Sequence, residues 1–187
     1  MLRDWLDTEL AEAARTFLST GGDLREVMRT ILHSPDFTRD HYREKVKRPL
    51  VLMASIARAT AAELGQPELL MVEQALVAMG EPLYRATPPT GFPDDTRHWA
   101  SPGTLLMRLY MIHRIVPNWN MRIDYGIAGG SSAEIVDALV SKFLPGGISE
   151  ASRREIVAFL DGLHAADWLR IRQAAAMVVS APEFQKH

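Results

Sequence analysis

Asp94, Asp95, Arg97 and His98 fall within five positions of one another, and Arg108 follows ten residues after His98. A carboxylate beside an imidazole can serve as a general base or contribute to a metal site. These five residues are therefore the candidate polar site. No second cluster at ligand spacing, such as His-Glu-x-x-His, completes it, so no metal and no cofactor is expected and no residue is assigned as catalytic. His33, His41, His113, His164 and His187 stand apart from one another. Nucleophile elbows, dinucleotide fingerprints and zinc patterns are absent from the sequence.

A second candidate is basic. Residues 39–48 hold five of the 21 Lys and Arg residues, and Arg43, Lys45, Lys47 and Arg48 are the candidate anion-binding set. Asp40 and Glu44 lie among them, so a solvated connector between helices is the plainer expectation.

The first set sits in residues 79–108, a stretch that cannot be an ordinary helix. Five of the eleven prolines (Pro82, Pro88, Pro89, Pro93 and Pro102) interrupt it, each fixing its own backbone and steering the preceding residue away from helix. Tyr84, Phe92, Trp99 and Leu83 give it apolar surface to bury, which predicts a stiff, packed loop.

The elements on either side read as helices. Apolar spacing predicts one over 4–19, stopped by Gly21 and Gly22, and a second capped by Asp23 with Leu24, Val27, Met28, Ile31 and Leu32 buried. Phe37, after Ser34-Pro35-Asp36, is expected to fold back onto the core. Pro49 opens a helix running to 64–65 that is apolar over most of its surface, the expected central helix. Pro67 opens another, with Leu69, Leu70, Val72, Leu76 and Met79 inward. Ser101 caps the next, with Leu105, Leu109, Ile112 and Val116 as its stripe. Residues 118–126 show no firm period. Gly129-Gly130-Ser131 resembles an anion-holding helix start, but Ser131 and Glu134 form a capping box that explains it better. Helices over 132–144, 149–163 and 167–180 complete the chain.

Composition sets the outer limits. The chain has 187 residues, 47% hydrophobic and 24% charged, the balance of a soluble globular protein. An all-α single domain over 1–187, an irregular bundle of seven to nine helices with the long loop packed on it, is the expected fold. A net charge of −2 and a pI near 6.3 give no global field toward nucleic acid. With no cysteine there are no disulfides, thiolate metal sites or cysteine nucleophiles. No apolar run reaches bilayer length, and the N-terminal residues lack the features of a signal peptide, so a cytoplasmic location is the default expectation.

Several motifs occur together and in order: Gly22-Asp23-Leu24-Arg25 with Ser34-Pro35-Asp36-Phe37, Lys45-Val46-Lys47-Arg48-Pro49, and Met79-Gly80-Glu81-Pro82-Leu83. After them come Pro88-Pro89-Thr90-Gly91-Phe92-Pro93, Trp99-Ala100-Ser101 with Arg108, and Ser180-Ala181-Pro182-Glu183-Phe184-Gln185. In these the chain resembles the C-terminal half of a bacterial family, domain of unknown function eighteen hundred (DUF 1800). It departs from the family pattern in having Glu81 for Gln, Phe92 for Trp, and Ala181 inserted between Ser and Pro. The resemblance implies no activity, cofactor or substrate. It implies export if the full-length form is exported, and an active site shared between halves would leave this chain with an exposed apolar face open to a protein partner or a second copy. The leading expectation is a non-catalytic binding or scaffolding domain using the 80–108 loop. The alternative is part of an enzyme whose pocket a missing N-terminal half completes.

Overall fold

Local signals set most helix ends. The computed structural model describes residues 2–35, 37, 44–117 and 125–187, and among these the secondary structure is helical, with an isolated antiparallel bridge between Val46 and Lys186. Eight helices of nine or more residues and two single turns are present among the described residues. The chain divides into two compact units, Met1–Lys45 and Val46–His187.

The first unit is a helical hairpin, α1 (Leu2–Ser19) against α2 (Leu24–Leu32). Gly21 and Gly22 take positive φ, and the Gly22 amide donates back to Phe17 O at 2.8 Å, which ends α1. Asp23 Oδ1 accepts from the Arg25 amide at 2.9 Å and so caps α2. The hydroxyls of Thr16 and Thr30 meet at 3.1 Å across the pair. The expected buried stripe of α2 is not found: no residue of this helix is buried, and Leu24 is 67% exposed. The hairpin gives α2 one helical neighbour, too few to enclose its apolar side. Phe37 is likewise exposed rather than folded onto a core. Asp36 lies outside the described residues.

The second unit contains α3 (Pro49–Ala59), α4 (Gln66–Ala78), α5 (Thr96–Trp99), α6 (Pro102–Ile115), α7 (Ser132–Phe143), α8 (Glu150–Asp161), α9 (Asp167–Ser180) and α10 (Pro182–Gln185). Its central helix is α9, not the expected α3. Ala174, Ala175, Ala176, Val178 and Val179 are fully buried, and α9 packs against α6, α7, α8 and α10. Alanines on several sides let those neighbours approach closely. By contrast α3 covers only its Pro49, Leu52, Met53 and Ile56 face, while Leu50 and Val51 are exposed. It also ends earlier than expected, where the Thr60 hydroxyl donates to Ile56 O at 2.8 Å and Ala61 turns to φ 48°.

Two expected stripes shift. On α4, Leu76 and Met79 are buried beside Ala75, whereas Leu69 and Leu70 are more than half exposed. On α6 the covered side is Arg108, Met111, Ile112 and Ile115 with Val116 beyond, and Leu105 and Leu109 are exposed. The helix is apolar over most of its circumference, so its pattern does not choose a face.

The Ser131/Glu134 capping box is present: the Ser131 amide donates to Glu134 Oε2 at 2.9 Å, and the Glu134 amide to Ser131 Oγ at 3.3 Å. The chain's own glutamate thus occupies the glycine-rich helix start. Of the irregular piece expected over 118–126, residues 118–124 lie outside the described residues. Among the described residues no helix is long and apolar enough to cross a membrane.

Candidate functional site

Pro102 and Ser101 start α6 and thereby place Arg108 near its second turn. The Ser101 hydroxyl accepts from the Thr104 amide at 3.3 Å, and the Thr104 hydroxyl donates to Trp99 O at 3.1 Å, tying the helix start to the loop before it. Arg108 is only 1% exposed. Its Nη1 donates to Gln185 Oε1 at 3.1 Å and its Nη2 to the carbonyl of Lys47. Gln185 Nε2 donates onward to Val179 O at 2.7 Å, and Gln185 O accepts from the Lys47 amide at 2.8 Å. One arginine thus joins residues 46–48, α6 and the closing turn α10.

Glu81 forms the second half of this polar layer. It is 1% exposed, accepts from Arg48 Nε at 2.9 Å and from Arg48 Nη2, and takes the Leu50 amide at 2.8 Å on its other oxygen. The last bond satisfies a free amide in the first turn of α3. Burial lowers the pKa of Arg108 to about 10, and the charge of Glu81 opposes that shift. The guanidinium remains charged at neutral pH. Its Nε has no hydrogen-bond partner among the described residues.

The loop is locked at its far end by Trp99, 1% exposed, whose Nε1 donates to Pro93 O at 2.7 Å. Residues Thr96–Trp99 form a single turn, α5, where the sequence suggests only loop. Asp95 is its cap, accepting from the Arg97 amide at 3.0 Å, and Arg97 Nε lies 3.5 Å from the Asp95 carboxylate. His98 packs edge-on against Trp99 with ring centroids 4.5 Å apart. Asp94, Asp95, Arg97 and His98 are all exposed, whereas Arg108 is buried.

Arg108 instead lines an apolar groove of about 350 Å³ with Val46, Leu105, Leu109, Pro182 and Lys186, and none of residues 94–98 takes part in it. Among the described residues no group of three or more His, Asp or Glu is placed to hold a metal ion.

The basic candidates separate as well. Arg43 lies outside the described residues. Arg48 is held by Glu81, Lys47 Nζ stands 4.2 Å above the Phe184 ring, and Lys45 is half-buried. Sequence reasoning singled out neither Glu81 nor Gln185 as a partner for these cations. Both fall within the short motifs that carry the family resemblance, which was the available signal.

Part of the exposed apolar surface lies beside the loop. Tyr84 is fully exposed at φ 59°, and Leu83 is 39% exposed, so of the four apolar loop residues expected to pack, Trp99 is buried and Phe92 half-buried. Leu83 shares a shallow groove with Leu69, Leu70 and Val72 on α4, and a second groove continues from Leu70 to Val77 and Ala78.

The family model described as "Protein of unknown function (DUF1800)" matches residues 7–186. No curated protein and no solved structure matches the chain.

Proposed function

This chain belongs to the DUF1800 family, and we propose that it acts as a non-catalytic binding or scaffolding domain whose recognition surface is the 80–108 loop with the outer side of α4. The observation that carries this reading is Tyr84. It stands fully exposed in a left-handed backbone conformation on a loop anchored by buried Glu81 before it and buried Trp99 after it. A non-glycine residue in that conformation costs about 1–3 kcal/mol and persists where its surroundings hold it. Exposed tyrosine on a preorganised loop is a favourable contact residue, because little side-chain entropy is lost on docking. Leu83, Leu69, Leu70 and Val77 extend the apolar surface next to it. The occupant would be a protein surface with a complementary apolar patch, from another protein or a second copy.

A share in an enzyme pocket has less support. Asp94, Asp95, Arg97 and His98 are exposed, while Arg108 is engaged with Gln185 and Lys47. Arg48 and Lys47 are likewise engaged within the chain, which weakens the anion-binding set. The proposal also treats 1–187 as one helical domain. A single cooperative unfolding transition would support that, and separate transitions for the two units would oppose it.

The test is site-directed photo-crosslinking in producing cells, with a photoreactive phenylalanine analogue at position 84 and, as control, at exposed position 97. Crosslinks to a defined protein from 84, lost in Leu70→Glu and absent from 97, support the reading. No crosslink from 84, or equal yields from both positions, would overturn it.

A further inference from the structure

The hairpin of the first unit is tightly closed at its turn and apolar on one face. Thr20 Oγ1 donates to Thr16 O at 2.7 Å and accepts from the Asp23 amide at 3.2 Å, while Asp23 caps α2. The hydroxyls of Thr16 and Thr30 mark where the two helices meet. Leu10, Ala14 and Leu18 stand six before, two before and two after Thr16, and Leu24, Met28 and Leu32 hold the same offsets from Thr30. All six are exposed, as is Phe17. Equal offsets mean equal rotation from the seam, and in an antiparallel pair equal rotations carry both stripes to one face of the hairpin.

The size of this face matches that of an interface. A large apolar side chain presents roughly 150–250 Å², so the leucines, Met28 and Phe17 expose on the order of 600 Å² in each copy, the top of what a monomer's largest apolar patch reaches. Two such faces together reach about 1,200 Å², the area at which stable interfaces begin, before their rims are counted. A two-helix hairpin has no further layer of its own to lay over the face, and two hairpins set face to face make a four-helix bundle. Charge agrees with that pairing. By sequence α1 carries four acidic and two basic residues, and α2 carries two arginines and one glutamate. The helices thus have opposite net charge, −2 and +1, which draws α1 of one copy toward α2 of the other and keeps like helices apart.

We propose that the α1–α2 hairpin is a self-association surface: two copies of this chain pack these faces together about a two-fold axis, each α1 lying beside the other copy's α2 in a four-helix bundle. A two-fold interface needs one surface complementary to itself. An uncharged apolar face carried by one acidic and one basic helix meets that need. The driving force is burial of the two stripes with the Phe17 ring, and because the turn is already closed, little order has to be created on docking. This surface is separate from the Tyr84 loop and does not rest on it.

The experiment is sedimentation velocity of the whole chain over a concentration series, with circular dichroism as the control for folding. The parent is expected to sediment as a dimer at about 100 μM. Leu18→Glu and Met28→Glu place a carboxylate at exposed positions, so each should keep the helical signal and sediment as a monomer. Arg25→Glu reverses the net charge of α2 and should weaken the dimer several-fold. Leu70→Glu, on the α4 surface, should leave the dimer intact, which separates failure of this surface from failure of the loop reading. A monomer at every concentration, a dimer that survives both Leu18→Glu and Met28→Glu, a dimer that Leu70→Glu dissolves, or an affinity unchanged in Arg25→Glu would each overturn the proposal.

Discussion

Arg108 donates from Nη1 to Gln185 Oε1 at 3.1 Å across 77 positions of sequence, joining the first half of α6 to the closing turn of the chain. Both residues are buried. The bond therefore belongs to the core and not to an exposed polar site.

Substituting Arg108 should test that role directly. Arg108→Ala leaves Gln185 Oε1 and the Lys47 carbonyl buried without their donor. The expected loss is about 2–4 kcal/mol in urea unfolding, the cost of leaving two buried neutral acceptors unsatisfied. Arg108→Lys should recover little, because one ammonium cannot span both acceptors as a planar fork does. An unchanged midpoint in Arg108→Ala would show that the network contributes nothing.

Glu81 separates charge from geometry. One of its oxygens takes Arg48 and the other the Leu50 amide. Glu81→Gln keeps one acceptor, and Arg48, whose side chain is 30% exposed, can turn to water. The expected cost is about 1–2 kcal/mol for Glu81→Gln and about 2–4 kcal/mol for Glu81→Ala, which also leaves the Leu50 amide unpaired. Chemical denaturation of the two variants side by side gives the order, and a Gln variant weaker than the Ala variant would contradict it.

Trp99 anchors the loop. Trp99→Ala should destabilise the protein by about 3–5 kcal/mol, the usual cost of deleting a buried large aromatic. Trp99→Phe keeps much of the packing but loses the bond to Pro93 O, so about 1–2 kcal/mol is expected. A melting temperature unchanged in Trp99→Ala would mean that the loop packs without it.

Acid should act through Glu183. Burial pushes its carboxyl up, and hydrogen bonds from Ser149 and Ser152 at the start of α8 more than reverse this, leaving it below its ordinary value. A depressed carboxylate contributes stability that is present above the unfolded pKa, about 4.3, and is lost as pH falls through the lower folded value. Unfolding midpoints measured from pH 7 downward should fall less steeply in Glu183→Gln than in the parent below about pH 5. Parallel curves would remove Glu183 from the acid limb.

The helix starts and stops were legible because the signals for them are local. Asp23, Ser101, Ser131 and Ser149 cap the amides two or three residues onward, and Gly21 and Gly22 end α1 within one turn. The prolines that exclude helix from residues 82–93 act on their own and preceding residues. The all-α class, the position of the long loop and the family resemblance follow from that local information.

Which faces are covered did not follow, because helices apolar on most sides carry no preference that a pattern can record. On α6 the sequence favours Leu105 and Leu109 as much as Met111 and Ile115, and the packing of α9 and α4 against the helix, with Gln185 of α10 reaching Arg108, covers one side and leaves those leucines exposed. The five residues read together as a polar site divide for the same reason. Asp94, Asp95, Arg97 and His98 stay in solvent around a one-turn helix, while Arg108 turns to partners 61 and 77 positions away. Capping and chain stiffness act over a few residues and are written in the sequence; burial of a face and satisfaction of a buried cation depend on distant segments and are decided only when the tertiary structure forms.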